Sequence, residues 1–479
     1  MIEVSPGIFA YLKKIYNDKT AREYIDFIGS KSSQYIRLNK LKTNPAYLIK
    51  NLNDNYGIEL EPVIGIRGCL RVTKGEEKTG KTIQHIIGDY YIQSLSSMLP
   101  PISLNACENE TVLDLCSAPG SKTTQIGEMM NNNGTLIANE IALDRVKMLV
   151  FNIDRMNLIN AGVIHSKGEL LNKIYQDHFD KILVDAPCSG LGIIQKKNEV
   201  SNWWSLERIS VLGDLQLRLL IAAIKMAKPD GEIVYSTCTL TVEENELIIN
   251  KVLEKYPVEI VDLELPVKSH PAFSSYEGKS LNPSLSKAHR ILPWEISSDG
   301  FFIVKLRKTG ITAQPGFFKP LKQNLKLLSF NKKEIQILLN NIIKDFGIER
   351  ENFNNFNYLV KGNDIFFINK NWNENNLDVF NRIGTRFGTI DRNGQIVLHT
   401  QAAQILDNEI NKSIFEIENP AELETYLSGG TIKKETENTG QCVVKYQNLM
   451  LGTAVNTKQG IKSRFPRSKR TQEILIEAK

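Results

Sequence analysis

The stretch "DKILVDAPCSG", Asp180 to Gly190, joins an apolar run to a polar turn that carries a cysteine. A second stretch of this kind, "GEIVYSTC", runs from Gly231 to Cys238, fifty residues beyond Cys188. Both apolar runs are typical of buried strands. In an open α/β sheet, ligands bind outside the carboxyl ends of the strands. The two stretches therefore predict that both cysteines lie at the working edge of one sheet.

Short β-rich runs alternate with longer amphipathic stretches across residues 111–308, and this alternation predicts a parallel sheet wrapped by helices. Six strands are predicted, at "TVLDLC" (Thr111–Cys116), "TLIANE" (Thr135–Glu140), "GVIHS" (Gly162–Ser166), "DKILVDA" (Asp180–Ala186), "GEIVYSTC" (Gly231–Cys238) and "FFIVKLR" (Phe301–Arg307). Amphipathic helices are predicted over Leu143–Asn157 and Leu206–Lys228. The capping box Thr241-x-x-Glu244 predicts a further helix directly after the fifth strand.

The length and composition indicate a multidomain globular protein. With 479 residues the chain exceeds the usual domain length, and its 42% hydrophobic and 24% charged residues are ordinary for soluble proteins. No apolar run approaches the roughly 20 residues of a membrane span. The N-terminus lacks the pattern of a signal peptide and resembles an amphipathic helix. Six cysteines without a CxxC pair predict neither a disulfide framework nor a metal site, and we expect a cytoplasmic protein.

Two stretches are basic and free of acidic residues. Val304–Lys333 contains eight Lys or Arg, and Lys458–Arg470 contains six. Either stretch alone is more typical of a solvated surface or a linker. Together they favour contacts with the phosphates of RNA or DNA.

The stretch "DLCSAPGSKT", Asp114 to Thr123, places a turn of small residues between the first strand and the next helix. It is neither a G-x-G-x-x-G fingerprint nor a P-loop, because Ser121 precedes the lysine. Gly120 allows backbone N–H groups to approach a ligand, and Glu140 ends the second strand, where an acid can bind ribose hydroxyls. This pattern favours S-adenosylmethionine over a nicotinamide dinucleotide, with a purely structural turn as the alternative.

The two cysteines suit methyl transfer to carbon 5 of cytosine. This carbon becomes nucleophilic once a thiolate has added to carbon 6, and the product then requires elimination of the thiolate. The reaction also needs an acid at the polar edge of the pyrimidine, for which Asp185 is the candidate beside Cys188 and Cys238. The remaining cysteines are assigned to the cofactor loop (Cys116) or to burial as small apolar residues (Cys69, Cys107 and Cys442).

Three motifs, "DLCSAPGSKTTQI", "ILVDAPCSGLG" and "YSTCTLTVEENE", occur in an order and spacing that resemble the RNA 5-methylcytosine methyltransferases of the NOL1/NOP2/sun type. The upstream segments "RLNKLKTN" (Arg37–Asn44) and "GDYYIQSLSSMLPP" (Gly88–Pro101) resemble the same family. The resemblance extends from about Ile36 to Arg307.

This resemblance implies that Cys238 is the nucleophile and that Cys188 assists product release. It also implies that S-adenosylmethionine is the cofactor, with contacts from Cys116, Ser117, Ala118, Pro119, Gly120, Ser121, Lys122, Glu140 and Asp185. One position departs from the family pattern. An aspartate usually lies near the adenine at the end of the third strand, whereas the position here is Lys167, with Glu169 as a possible replacement.

The segment "GQCVVKYQNLMLGTAVNTKQGIKSRFPRSKR" resembles the PUA-like C-terminal domain of bacterial family members. The expected fold is therefore α/β, with a Rossmann-like class I methyltransferase sheet. The predicted domains are an N-terminal α+β RNA-binding subdomain (1–104), an S-adenosylmethionine-dependent methyltransferase domain (105–310), a connecting domain without a motif (311–395) and a PUA-like RNA-binding domain (396–479).

The resemblance implies that the substrate is a cytosine of 16S rRNA, as free RNA or in the small ribosomal subunit, and that the protein is a monomer without a metal. Three alternatives stay open. The same chemistry can act on tRNA or 23S rRNA, the chain can be a non-catalytic RNA-binding assembly factor, or it can be a nicotinamide-dependent oxidoreductase. The missing glycine fingerprint disfavours the last alternative.

Overall fold

The structure of the protein is a computed structural model that describes residues 4–197, 199–313, 324–434, 439–470 and 473–476. None of the helices in these ranges is long and apolar enough to cross a membrane.

The N-terminal part contains two amphipathic helices followed by a four-stranded antiparallel sheet with the order β2-β3-β1-β4. Its elements are α1 (Pro6–Ile15), α2 (Asp18–Gly29), β1 (Gln34–Leu38), α3 (Pro45–Tyr56), β2 (Glu59–Pro62), β3 (Cys69–Lys74), α4 (Ile83–Ile87), β4 (Tyr90–Ile92) and α5 (Leu95–Leu104). The side chain of Asn17 caps α2 by accepting a hydrogen bond from the Thr20 N–H at 2.8 Å. The buried face of α2 reaches the segment that follows β8, where the Tyr24 hydroxyl donates to the Leu191 carbonyl.

A ten-stranded sheet forms the centre of the molecule, and the described residues confirm the predicted α/β class. The elements of this part are β5 (Thr111–Asp114), α6 (Ser121–Met129), β6 (Thr135–Glu140), α7 (Leu143–Arg155), β7 (Ala161–His165), β8 (Phe179–Asp185), α8 (Glu199–Trp203), α9 (Leu206–Met226), β9 (Ala227–Thr237), α10 (Glu246–Lys255), β10 (Val258–Val261), β11 (His270–Pro271), β12 (Ser275–Tyr276), β13 (Lys279–Ser280), β14 (His289–Ile291), α11 (Pro293–Ile296) and β15 (Phe301–Lys308).

Five parallel strands run in the order β7-β6-β5-β8-β9, and β15 pairs antiparallel with β9. After β7 the chain crosses over to place β8 on the other side of β5. The switch point between β5 and β8 is therefore where an open α/β sheet binds its ligand. Apolar side chains of the strands and of α9 bury both faces of the sheet.

All six predicted strands are present, as β5 to β9 and β15. The first one ends at Asp114, two residues earlier than predicted, because the chain turns there and the Ser117 hydroxyl donates to the Asp114 carbonyl at 2.7 Å. The helix predicted after β9 is present as α10, but its predicted start at the Thr241 capping box is wrong, since α10 begins only at Glu246. The Thr241 hydroxyl does donate to the Glu244 carboxylate at 2.7 Å, but this carboxylate is held by other parts of the sheet edge.

The C-terminal part contains two five-stranded sheets with the orders β16-β17-β18-β20-β21 and β22-β24-β25-β26-β23. The elements are β16 (Leu328–Ser329), α12 (Lys333–Phe346), β17 (Phe356–Lys361), β18 (Asp364–Asn369), β19 (Arg382–Ile383), β20 (Thr385–Ile390), β21 (Ile396–Leu398), α13 (Thr400–Ile405), β22 (Ile414–Glu416), α14 (Pro420–Ser428), β23 (Thr431–Ile432), β24 (Gly440–Tyr446), β25 (Leu449–Thr457), β26 (Gly460–Ser463) and α15 (Arg467–Arg470). β19 pairs with β7 and so extends the central sheet.

Only part of the first basic stretch is neutralised by acidic residues: Lys305, Arg307 and Lys308 form ion pairs, whereas Lys326, Lys332 and Lys333 are exposed. Lys305 pairs with Glu232 at 2.8 Å, and the fully buried Lys308 pairs with Asp177. Lys319 and Lys322 lie outside the described residues. The acidic partners come from neighbouring strands and loops. A segment without acidic residues can therefore still have its lysines paired.

The cysteines assigned to burial divide into two groups. Cys69 and Cys442 are buried, as predicted. The assignment of Cys107 is wrong, because its side chain is exposed in the loop before β5, where the thiol contacts the Asn105 carbonyl at 3.4 Å.

Candidate active site

A cavity of about 320 Å³ opens at the switch point of the central sheet, beyond the carboxyl ends of β5, β6, β8 and β9. It brings together six of the residues that the sequence predicts for the site: Cys116, Ala118, Glu140, Asp185, Cys188 and Cys238. Its walls are mixed, with apolar side chains between the polar ones. This is the composition expected of a site for a small organic ligand.

The two cysteines are in direct contact. The Sγ atoms of Cys188 and Cys238 lie 3.1 Å apart. The hydrogen bond to Cys238, followed by burial, raises the pKa of the Cys188 thiol well above its usual range. Either sulfur can donate this hydrogen bond, and the raised pKa of Cys188 favours Cys188 as the thiol that keeps its proton.

A buried carboxylate, that of Glu244, holds the two cysteine loops together. It accepts hydrogen bonds from the backbone N–H of Ser189 at 2.8 Å, the Thr241 hydroxyl at 2.7 Å and the Gln216 amide at 2.9 Å. The Ser189 hydroxyl also contacts the Thr239 hydroxyl at 2.9 Å. The residues that follow Cys188 and Cys238 are therefore fixed to each other.

Asp185 ends β8 and forms an ion pair with Lys122, whose Nζ lies 2.7 Å from Oδ2. The Ser236 hydroxyl donates to the other carboxylate oxygen at 2.8 Å. Burial alone lowers the pKa of Lys122, but the charge and hydrogen bond of Asp185 and the proximity of Cys238 outweigh burial and raise it. Lys122 is therefore a permanent cation beside Asp185 and Cys238, and a nearby cation favours the thiolate form of a cysteine.

The remaining residues of the predicted cofactor loop, Ser117, Pro119, Gly120 and Ser121, shape the loop and do not belong to the cavity wall. Gly120 has a φ of 107°, and a Cβ atom there meets Leu149 Cδ1 at 3.1 Å. Glycine therefore fits both the backbone conformation and the close approach to α7.

The end of β6 supplies polar groups that fit a nucleoside. Glu140 is 3% exposed, accepts a hydrogen bond from the Ala142 N–H at 3.0 Å and forms an ion pair with Arg145 at 3.2 Å. The neighbouring Asn139 Oδ1 is buried without a hydrogen-bond partner among the described residues, and Asn139 lines the cavity. A buried acceptor of this kind requires a donor, and the ribose hydroxyls, amino group and positive charge of S-adenosylmethionine suit these acidic walls.

Lys167, the predicted adenine-side residue, is not part of the cavity wall, whereas the following Gly168 and Glu169 are. Glu169, the alternative that the sequence left open, thus lies after β7 in the cavity wall, and its contact with adenine stays a prediction. Among the described residues, no group of three or more His, Cys, Asp or Glu side chains is placed to hold a metal ion.

Several site residues escaped the sequence reasoning. Glu244 was interpreted only as part of a capping box, and Gln216 has no motif. Trp203 and Lys197 also line the cavity, from the segment between β8 and α9. The adjacent tryptophans Trp203 and Trp204 were a usable signal, because two large aromatics in a polar segment are unusual on a surface.

The cavity at the switch point and the carboxylate of Glu140 at the end of β6 define a Rossmann-like methyltransferase that uses S-adenosylmethionine. Residues 101–307 match the family described as 16S rRNA methyltransferase RsmB/F. The chain is 31% identical over 447 residues to ribosomal RNA small subunit methyltransferase F of Aeromonas hydrophila, covering 90% of each chain. The protein belongs to this RsmB/F family of methyltransferases.

Other similarities agree with this placement. The chain is 35% identical over 274 residues to a tRNA (cytosine(49)-C(5))-methyltransferase of Pyrococcus abyssi, which covers 57% of this chain and 87% of the relative. The fold matches the crystal structure of a methyltransferase homologue from Pyrococcus horikoshii with a TM-score of 0.55 at 30% identity, over 64% of this chain and all of the other.

Proposed function

We propose that the protein methylates carbon 5 of a specific cytosine in 16S rRNA through a transient bond between Cys238 and carbon 6 of the ring. The main support is the contact between the two cysteine sulfurs at 3.1 Å within the cavity. An enzyme that forms a covalent bond to its substrate must also break that bond. The thiol of Cys188 lies next to the sulfur of Cys238, where this bond breaks. The 16S rRNA substrate is supported by the relative from Aeromonas hydrophila, which matches along 90% of this chain.

The chemistry follows from the residues at the sheet edge. The thiolate of Cys238 forms a bond to carbon 6, and the electrons of the 5,6 double bond make carbon 5 nucleophilic. Bound S-adenosylmethionine would supply the methyl group: carbon 5 would gain it as the bond between the methyl carbon and the sulfonium sulfur breaks, and S-adenosylhomocysteine would leave. A base then removes the proton from carbon 5, the bond between carbon 6 and sulfur breaks, and Cys238 leaves as a thiolate.

Cys188 and Asp185 have separate roles in this scheme. The protonated thiol of Cys188 donates to the sulfur of Cys238 and stabilises the thiolate both before the attack and on departure. Asp185 accepts a hydrogen bond from the exocyclic amino group of the cytosine. Lys122 keeps the carboxylate of Asp185 in place and adds positive charge beside the reacting sulfur.

The flanking parts are proposed to hold the RNA. We assign residues 1–104 and 396–479 to RNA binding, 105–310 to methyl transfer and 311–395 to their connection. Exposed Lys458, Lys462, Arg464 and Arg467 of the second basic stretch support phosphate contacts by the C-terminal part. In this proposal the protein acts as a cytoplasmic monomer on 16S rRNA, free or within the small ribosomal subunit.

The test is methyl transfer to separated RNAs. Purified protein and S-adenosylmethionine with a labelled methyl group are incubated with 16S rRNA, 23S rRNA, tRNA and small subunits from cells that lack this gene. Bisulfite sequencing then locates the modified base. We expect one cytosine of 16S rRNA to become resistant to conversion. Labelling confined to tRNA or 23S rRNA contradicts the substrate assignment, and labelling of no RNA contradicts the activity and favours an assembly factor.

A further inference from the structure

Two adjacent tryptophans at the end of α8 have different surroundings. Trp204 packs with Tyr11 of α1 in the N-terminal hydrophobic cluster, with ring centroids 5.4 Å apart. Both side chains are partly buried and pack against that cluster, but of the two only Trp203 lines the cavity that contains Cys188 and Cys238. Packing in the hydrophobic core accounts for Trp204. It does not account for an indole at the wall of the reaction cavity.

One side of the Trp203 ring is covered by a cation. The guanidinium of Arg208 lies 4.1 Å from the ring centroid. Ser205 caps the start of α9 by accepting a hydrogen bond from the Arg208 N–H at 3.2 Å, and this cap fixes the position of Arg208. Arg208 is exposed and is not part of the cavity wall. The indole of Trp203 therefore contacts both the arginine and the cavity.

A second cation lies at the same rim. Lys197 is exposed and lines the cavity. Its neighbour Lys196 pairs with Asp299 at 2.8 Å, whereas no carboxylate of the described residues forms an ion pair with Lys197 or Arg208. An aromatic face with cations beside it is the arrangement that binds single-stranded nucleic acid, since bases stack and phosphates pair with the charges.

We infer that Trp203 is the stacking surface for the pyrimidine that reaches Cys238, and that Lys197 contacts the phosphate backbone next to that pyrimidine. This inference rests on the proposed function. A base that leaves its stack loses stacking and pairing free energy. Stacking on the indole of Trp203 offsets part of this loss within the cavity that contains the attacking sulfur.

The test compares Trp203→Phe with Trp203→Leu, two variants of similar apolar character of which only one keeps an aromatic ring. We expect Trp203→Leu to lower kcat/KM for RNA methylation about tenfold, the effect of one lost stacked base. We expect Trp203→Phe to lose less than about threefold. The affinity for S-adenosylmethionine, measured by calorimetry, should stay within about twofold in both variants, since the effect of a stacking residue falls on the RNA.

Tryptophan fluorescence gives a readout that does not depend on turnover. A short RNA containing the target site should quench part of the emission of the wild-type protein and of Trp294→Phe, a control outside the cavity. Trp203→Phe should lose this quenching. Unchanged kcat/KM in Trp203→Leu together with unchanged quenching in Trp203→Phe overturns the inference. Absence of methylation by the wild-type protein contradicts the proposed function instead, and the quenching experiment then still decides whether Trp203 stacks on RNA.

Discussion

The sulfur atoms of Cys188 and Cys238 lie 3.1 Å apart although fifty residues separate them in the chain. They meet because β8 and β9 are parallel neighbours that end at the same edge of the sheet. The Ser189–Thr239 hydrogen bond and the shared contacts to Glu244 then lock the loops that carry them. At this distance a proton can move between the two thiols. Cys188 can therefore assist both the attack and the release of Cys238 without leaving its position.

The Glu244→Gln variant tests the link between the cysteine loops. An amide replaces one acceptor oxygen by an NH₂ group, which then faces either the Ser189 N–H and the Gln216 amide or the hydroxyls of Ser189 and Thr241. We expect the free energy of unfolding, measured in urea, to fall by about 1–3 kcal/mol. The rate of methyl transfer should fall as well, while the affinity for S-adenosylmethionine stays close to that of the wild type, because Glu244 does not line the cavity.

The matched control is Glu254→Gln on the exposed side of α10. Among the described residues, the Glu254 carboxylate accepts a hydrogen bond only from the Asn250 amide. It should leave both stability and activity near the wild-type values. Equal effects of the two variants contradict the structural role of Glu244.

Asp114, at the end of β5, predicts a pH dependence of stability. Burial raises its pKa to about 7, against the lowering effect of the hydrogen bond from Thr123. A carboxyl group with a raised pKa binds more protons in the folded state than in the unfolded state between about pH 4 and 7. Its contribution to stability is therefore complete below about pH 4 and is lost as the pH rises to 7.

The variant Asp114→Asn imitates the protonated form and removes this titration. We expect its free energy of unfolding to exceed that of the wild type at pH 7.5 and to approach it near pH 4.5. The contribution of Asp114 to the slope of the free energy of unfolding against pH is at most about 1.4 kcal/mol per pH unit. Urea denaturation at several pH values measures the difference, and parallel curves for the two proteins disagree with the raised pKa.

The basic C-terminal stretch predicts a salt-dependent RNA affinity. Lys462, Arg464 and Arg467 are exposed, and their replacement by alanine should weaken RNA binding without changing the affinity for S-adenosylmethionine. Each lost phosphate contact should reduce the slope of log K against log salt concentration by about 0.7 to 0.9. The control replaces Lys251 and Lys255, two exposed lysines of α10. A triple variant that binds RNA like this control at every salt concentration rules out the proposed contact.

The sequence was sufficient to predict the central sheet, since alternation of apolar runs and amphipathic stretches is a local property. It was also sufficient to place Cys188 and Cys238 at one edge, because parallel strands end on the same side. The family motifs identified the acid at Glu140, which lines the cavity.

Other features depend on partners that are distant in the chain. The pairing of Lys305 with Glu232 and of Lys308 with Asp177 is invisible in a stretch that contains no acid. The sequence around Glu244 is typical of a local capping box. Only the hydrogen bond from the Ser189 N–H shows that Glu244 also connects the two cysteine loops. The sheet formed by β16–β18, β20 and β21 arises from short strands in a segment rich in Asn and Lys, where the periodic signal is weak.

The most direct test of the central claim is the covalent complex between the protein and its RNA. Wild type, Cys188→Ala, Cys238→Ala and the double variant are incubated with target RNA and S-adenosylmethionine and separated on denaturing gels. We predict that Cys188→Ala accumulates a protein–RNA adduct, because Cys238 attacks but is released slowly, and that the other two variants form none. An adduct formed by Cys238→Ala, or methylation by that variant, contradicts the account.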